Sequence, residues 1–74
     1  ITEAAERLLA FGFTEKNLGE IVSFAVAGNT RSIAVMQRIG MRAAPERNFD
    51  MPGLDDALRP HVLYTLDRAT WYNL

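Results

Sequence analysis

Apolar side chains in residues 2–16 fall at Ala4, Ala5, Leu8, Leu9, Phe11, Gly12 and Phe13, with Glu3, Glu6, Arg7 and Glu15 on the other side. That spacing predicts an amphipathic helix. A glycine inside a helix costs about 1 kcal/mol relative to alanine, so Gly12 points to a neighbour packed close against it. Asn17 and Gly19 end the helix, because both residue types tolerate the left-handed conformation of helix C-termini. Residues 20–27, "EIVSFAVA", then run almost without polar interruption. β-Branched and aromatic residues in such a run predict a strand covered on both faces.

Gly28 supplies a turn and Asn29 an N-cap for a second helix, whose apolar positions Val35, Met36 and Ile39 share one face. Gly40 suits the position just past that helix, with Met41 folding back on Met36 in a Schellman arrangement. Three prolines, a glycine and several acidic residues between 42 and 60 allow at most a short strand over 42–49 and then a loop. In "HVLYTL", residues 61–66, Val62, Tyr64 and Leu66 alternate onto one face, which predicts a strand. The order is helix, strand, helix, strand, loop, strand: an α/β architecture with a sheet of mixed direction. The strand-helix-strand crossover should be parallel and right-handed, leaving a gap that the last strand can fill.

The chain has 74 residues, 49% of them hydrophobic, so a single core has little stability in reserve and a complete enzyme is not expected. The first residue is Ile1 and the sequence opens inside a helical pattern, so the chain reads as a piece whose missing part precedes Ile1. Eight basic against nine acidic residues leave a net charge of −1, which gives no broad surface for nucleic acid or acidic membranes. Zero cysteines exclude a disulfide framework, a thiolate metal site and a cysteine nucleophile. No apolar run approaches the roughly 18 to 20 residues of a membrane span, and a cytoplasmic protein is the default expectation.

The start of the second helix, "NTRS", carries more donors and charge than capping requires. A helix N-terminus presents unpaired N–H groups and the positive end of its dipole, and after the carboxyl end of a strand this is where anions and polar ligands bind. Local capping by Asn29 and Ser32, with Arg31 solvated, accounts for the same residues.

Read as a longer pattern, "NTRSIAVMQRIGM" resembles the N-x-x-S/A, apolar, basic, G-M/F segment of the GNAT superfamily of acyl-CoA-dependent N-acetyltransferases. "ITEAAERLLAFGF" resembles the helix that begins at the end of that superfamily's Q/R-x-x-G-x-G/A signature, with Ile1 at its last position. "LGEIVSFAVAGN" is similar to the strand and turn that follow. "RPHVLYTLDRATW" resembles the closing strand of the RimJ/RimL-like branch, which includes ribosomal-protein N-terminal acetyltransferases. The similarity is weakest over residues 45–58.

The resemblance implies the C-terminal half of an acetyltransferase domain over residues 1–74, with acetyl-CoA as cosubstrate and no metal. An amine, either a protein N-terminal α-amine or a small molecule, is the implied acceptor. One wall of the pantetheine cleft, residues 20–27, is kept; the other wall and the pyrophosphate loop are lacking, so the fragment alone should be inactive. By position Asn29 matches the residue that contacts the pantetheine arm, Ser32 the small or hydroxyl residue one turn on, and Arg31 or Arg38 could lie near the phosphates of CoA. Where many members place an acidic tyrosine, this chain has Met36. Ser32 and Tyr64 are the remaining candidate proton donors.

His61, the only histidine, invites a general-base role because imidazoles titrate near neutrality, but a lone histidine at a strand start reads first as structural. Asp50, Asp55 and Asp56 are spaced as a solvated turn rather than a metal site. Trp71 and Tyr72 read as packing or interface residues. Two other classes fit parts of the pattern: an interaction module that pairs through an exposed edge of strand 20–27, for which a homodimer is one form, and a nucleotide-binding piece, which lacks a glycine-rich phosphate loop.

Overall fold

The computed structural model describes residues 2–74, so Ile1, the last position of the signature resemblance, lies outside the described residues. Helix α1, Thr2–Thr14, turns Leu9, Gly12 and Phe13 inward. Its buried stripe is narrower than the sequence predicts: Leu8 is 71% and Phe11 50% exposed, because α1 rests on the sheet along one side only. Gly12 is required by close approach, since a Cβ there would stand 2.7 Å from Ile21 Cδ1. Asn17 adopts a left-handed φ of 53° and the Leu18 N–H bonds the Gly12 carbonyl at 3.0 Å, ending the helix as its sequence predicts.

Strand β1, Glu20–Val26, leads through Gly28 to α2, Thr30–Arg38. Gly40 takes φ 95°, its N–H bonds the Gln37 carbonyl, and the Met41 N–H bonds the Met36 carbonyl, both at 3.0 to 3.1 Å. These two bonds define the Schellman motif, and Met36 and Met41 are buried together.

The strand expected over 42–49 is instead two short pieces, β2 (Arg42–Ala43) and β3 (Phe49–Asp50), separated by a 3₁₀ turn at Pro45–Arg47. Pro45 has no N–H to donate to a ladder, which ends β2, and beyond it the Leu63 N–H of the facing strand is accepted by the Asn48 side-chain carbonyl at 3.0 Å.

Strand β4, Pro60–Asp67, is the hub of the sheet: β1 pairs with it along one side and β2 and β3 along the other, every pair antiparallel. It follows that β1 and β2 run parallel to each other with β4 filling the gap between them, as the crossover argument allows, but because β4 separates them no hydrogen-bonded pair among the described residues is parallel and the sheet is antiparallel rather than mixed.

A short helix α3, Arg68–Tyr72, closes the chain and has no counterpart in the sequence-based expectation. Asp67 caps it by accepting the Thr70 N–H at 2.7 Å. Trp71 stacks on Phe13 at 5.2 Å between ring centroids, whereas Tyr72 is 63% exposed.

Directly opposite residues of an antiparallel pair share a face, so Ile21, Ser23 and Ala25 line up with Leu66, Tyr64 and Val62. This face meets Leu9, Phe13, Met36, Ile39 and Met41 in the core. Burying Phe13 and Leu66, 1% and 2% exposed, contributes about 1.5 to 3 kcal/mol for each side chain.

The other face carries Val22 and Phe24, which are 42% and 53% exposed. The expectation that β1 is covered on both faces therefore fails: both helices it contacts pack on the opposite face, and one of its edges is unpaired among the described residues. Its run is an exposed stripe interleaved with a half-buried one.

Candidate functional site

The free edge of β1 and the N-terminal half of α2 enclose a hollow of about 250 Å3 lined by Ser23, Phe24, Arg31, Ser32, Val35 and Met36. A second hollow, about 240 Å3, continues along the same strand toward α1 and shares Ser23, Val35 and Met36. Together they form one groove, apolar along its floor and polar at the start of α2.

That polar end is built by capping. The Asn29 side-chain carbonyl accepts the Ser32 N–H at 3.2 Å, and the Asn29 backbone carbonyl accepts that of Ile33 at 3.1 Å. The Thr30 N–H bonds the Gly28 carbonyl at 3.0 Å, whereas the Arg31 N–H has no partner among the described residues. One donor and the positive end of a nine-residue helix thus face outward beside the Arg31 guanidinium.

The structure brings Asn29, Arg31 and Ser32 together at this end. Arg38 lies in the last turn of α2, about 13 Å from Asn29 by helix rise. Tyr64 also stands apart, 8% exposed in the core, with its hydroxyl accepting a bond from Gln37 Nε2 at 3.3 Å. Met36 borders both hollows, and its thioether has no proton to give. Ser23 is the groove residue that sequence reasoning missed; its signal was a lone hydroxyl inside an otherwise apolar strand.

On the opposite face of the sheet, Phe24, Phe49 and His61 form an aromatic group. Phe49 stacks on His61 at 5.4 Å and 21°, and the Phe24 ring centroid lies 5.4 Å from Phe49 and 6.0 Å from His61. His61 is 8% exposed, with Nδ1 3.0 Å from the Arg59 carbonyl. A hollow of about 410 Å3 opens beside it, lined by Asn48, Phe49, Asp50, Pro60, His61 and residues 27 and 62.

Farther along this face the Glu20 carboxylate accepts from the Thr65 hydroxyl at 2.6 Å and from Arg47 at 3.1 Å. Those bonds, Thr65 first, hold the Glu20 carboxyl below its ordinary range. Among the described residues no three His, Cys, Asp or Glu side chains gather as a metal site, and no helix is long and apolar enough to cross a membrane.

Residues 1–42, more than half of the chain, match the family model of the acetyltransferase (GNAT) domain. The chain belongs to the GNAT acetyltransferase family. A GNAT-family acetyltransferase from Bacillus anthracis is 30% identical and superposes with a TM-score of 0.76 over 92% of this chain and 40% of its own. An acetyltransferase from Agrobacterium tumefaciens is 29% identical, with a TM-score of 0.66 over 88% of this chain and 34% of that one. Mutant forms of the spermidine/spermine N-acetyltransferase from Vibrio cholerae share 15% identity and the same fold, with a TM-score of 0.80 over 97% of this GNAT chain and 41% of theirs. The GNAT chain therefore spans about two fifths or less of the length of these structures. Acetyl-CoA is the acetyl donor of the family and amines are its acceptors.

Proposed function

We propose that this chain is the C-terminal half of an acetyl-CoA-dependent N-acetyltransferase of the RimJ/RimL-like branch. The observation that carries the reading is the groove at the free edge of β1, apolar along its floor and closed by the capped start of α2. Its dimensions and lining suit a pantetheine arm: an unpaired strand edge offers N–H and C=O groups to amides, and Val35 and Met36 offer apolar contact to the methylenes. Asn29 and Ser32 hold the arm near its polar groups, and Arg31 with its open N–H meets a phosphate. When bound, acetyl-CoA supplies an activated acetyl thioester.

The chain's own residues then have two proton tasks, removal of a proton from the acceptor ammonium and delivery of one to the departing sulfur. Of the two hydroxyls considered, Ser32 lines the groove, and Tyr64 is engaged by Gln37 in the core, so Ser32 is the better placed donor. The acceptor is a protein N-terminal α-amine or a small-molecule amine, and the protein acts in the cytoplasm. The second cleft wall and the pyrophosphate loop lie outside the chain, consistent with the 34 to 41% of the structural relatives that it covers.

A second reading is favoured by the exposure of Val22 and Phe24 on β1: the isolated chain pairs through that edge as a homodimer. Concentration-dependent sedimentation of the isolated chain detects such pairing. For the main reading, the complete gene product should release one thiol for each amide formed from acetyl-CoA and an amine panel, and the isolated 74 residues should not turn over. Absence of thiol release from the complete product with every amine overturns the acetyltransferase reading, and turnover by the isolated chain overturns its assignment as an inactive half.

A further inference from the structure

We propose that His61 receives the proton of the acceptor ammonium, through Nε2, in the hollow beside β3; this rests on the acetyltransferase reading. The Arg59 backbone carbonyl can only accept, so the 3.0 Å contact fixes the hydrogen of the neutral imidazole on Nδ1. The lone pair is thereby assigned to Nε2. No described residue bonds Nε2, yet no buried polar side-chain atom lacks a partner, so Nε2 reaches solvent although the residue as a whole is 8% exposed. Phe49, stacked on the ring at 21°, and Phe24, tilted against it, hold the imidazole plane in place. A nitrogen lone pair of defined tautomer and fixed orientation that still touches solvent is what a proton acceptor requires.

The surroundings fit an ammonium. Asp50 is among the residues that line the hollow and brings a negative charge to it, while the Arg59 guanidinium is bound to the Leu54 carbonyl and Asp56. Strand β1 faces the ring with Phe24 and Val26, neither of them charged. Phe24, whose ring lies 6.0 Å from that of His61, also lines the groove at α2, so a single side chain stands between the imidazole and the groove. In the step assigned to His61, the N–H bond of the ammonium breaks and its electron pair stays on the amine nitrogen. The proton forms an N–H bond at Nε2 and leaves the ring as an imidazolium. The freed lone pair is what attack on an acyl thioester needs, since amines of pKa about 8 to 10.4 are mostly protonated at neutral pH.

The test uses the complete gene product and His61→Asn, whose amide N–H can keep the bond to the Arg59 carbonyl while removing the base. Expected is a loss of about 10² to 10⁴-fold in kcat/KM at neutral pH that shrinks as pH rises through the pKa of the acceptor amine, with CoA affinity unchanged. A structural role predicts a loss independent of pH, and that result, like no loss at all, overturns the assignment. Nitrogen-15 NMR of the unmodified protein gives an independent readout: an Nδ1–H tautomer is expected, and an Nε2–H tautomer overturns it. Absence of amine acetylation by the unmodified protein defeats the acetyltransferase reading and this inference together, whereas turnover that His61→Asn leaves intact defeats this inference alone.

Discussion

Asn29 has two separable duties in this account, capping α2 and contacting the pantetheine arm, and a pair of substitutions divides them. Asn29→Ala removes the carbonyl that accepts the Ser32 N–H. An N-cap is worth about 0.5 to 2 kcal/mol, and the 3.2 Å length and exposure of this bond place it at the lower end, about 0.5 to 1 kcal/mol. In a domain of this size about 1 kcal/mol moves Tm by 4 to 8 °C, so the isolated chain should melt about 2 to 8 °C lower. Asn29→Ser keeps a capping oxygen and should melt within a degree or two of the unmodified chain. Both variants lose the carboxamide, so in the complete gene product both should weaken CoA binding by one hydrogen bond, about 1 kcal/mol or roughly fivefold in Kd. Differential scanning fluorimetry and isothermal titration of CoA read the two effects. Equal melting of Ala and Ser variants refutes the capping argument, and unchanged CoA affinity in both refutes the contact.

Three further outcomes follow from the geometry. Gly40→Ala places a Cβ at φ 95° and 2.6 Å from Leu74 Cδ1; the terminal leucine can move but the backbone cannot, so denaturant melts should show a loss of about 1 to 2 kcal/mol with the m-value unchanged. Phe13→Ala removes a ring buried at 1% exposure and stacked on Trp71, costing about 3 to 5 kcal/mol; retention of a cooperative melt near the original Tm would contradict the assigned core. Glu20 is held below its ordinary carboxyl range chiefly by the Thr65 hydroxyl and Arg47, and Asp67 by the Thr70 N–H. Because both folded pKa values lie below the unfolded ones, their stabilisation is full above the ordinary carboxyl range, about pH 4, and is lost as pH falls through the folded values. Tm should therefore drop on acidification below about pH 4, less steeply in Thr65→Val, and an identical acid slope in that variant would count against the Glu20 bond.

Local chemistry explains which elements were legible in the sequence. The α2 boundaries followed from Asn29 and Gly40, because caps are read by side-chain type and backbone freedom within a few residues. The place of β4 between β1 and β2 followed from the crossover rule together with the alternation of Val62, Tyr64 and Leu66. What failed depended on distant partners. The apolar run of β1 could not reveal that Val22 and Phe24 face away from the helices, since a strand with both faces apolar reads the same whether one face is covered or two. Leu8 and Phe11 were assigned inward for the same reason. The split of β2 from β3 was partly signalled by Pro45, whereas the role of Asn48 as a ladder partner for Leu63 rests on a contact fifteen residues away. At the candidate site, Asn29, Arg31 and Ser32 were legible because they are adjacent in sequence. Ser23 and the Phe24, Phe49 and His61 group were not, because three strands assemble them.

The central claim is that the start of α2 and the free edge of β1 receive acetyl-CoA. A titration of the nitrogen-15-labelled complete gene product with CoA, against an ATP control, tests it directly. The account predicts saturable shifts at Asn29, Arg31, Ser32 and along residues 22–24, with CoA binding more tightly than ATP because only CoA carries the pantetheine arm. Shifts that spare these residues, or equal responses to CoA and ATP, would contradict it.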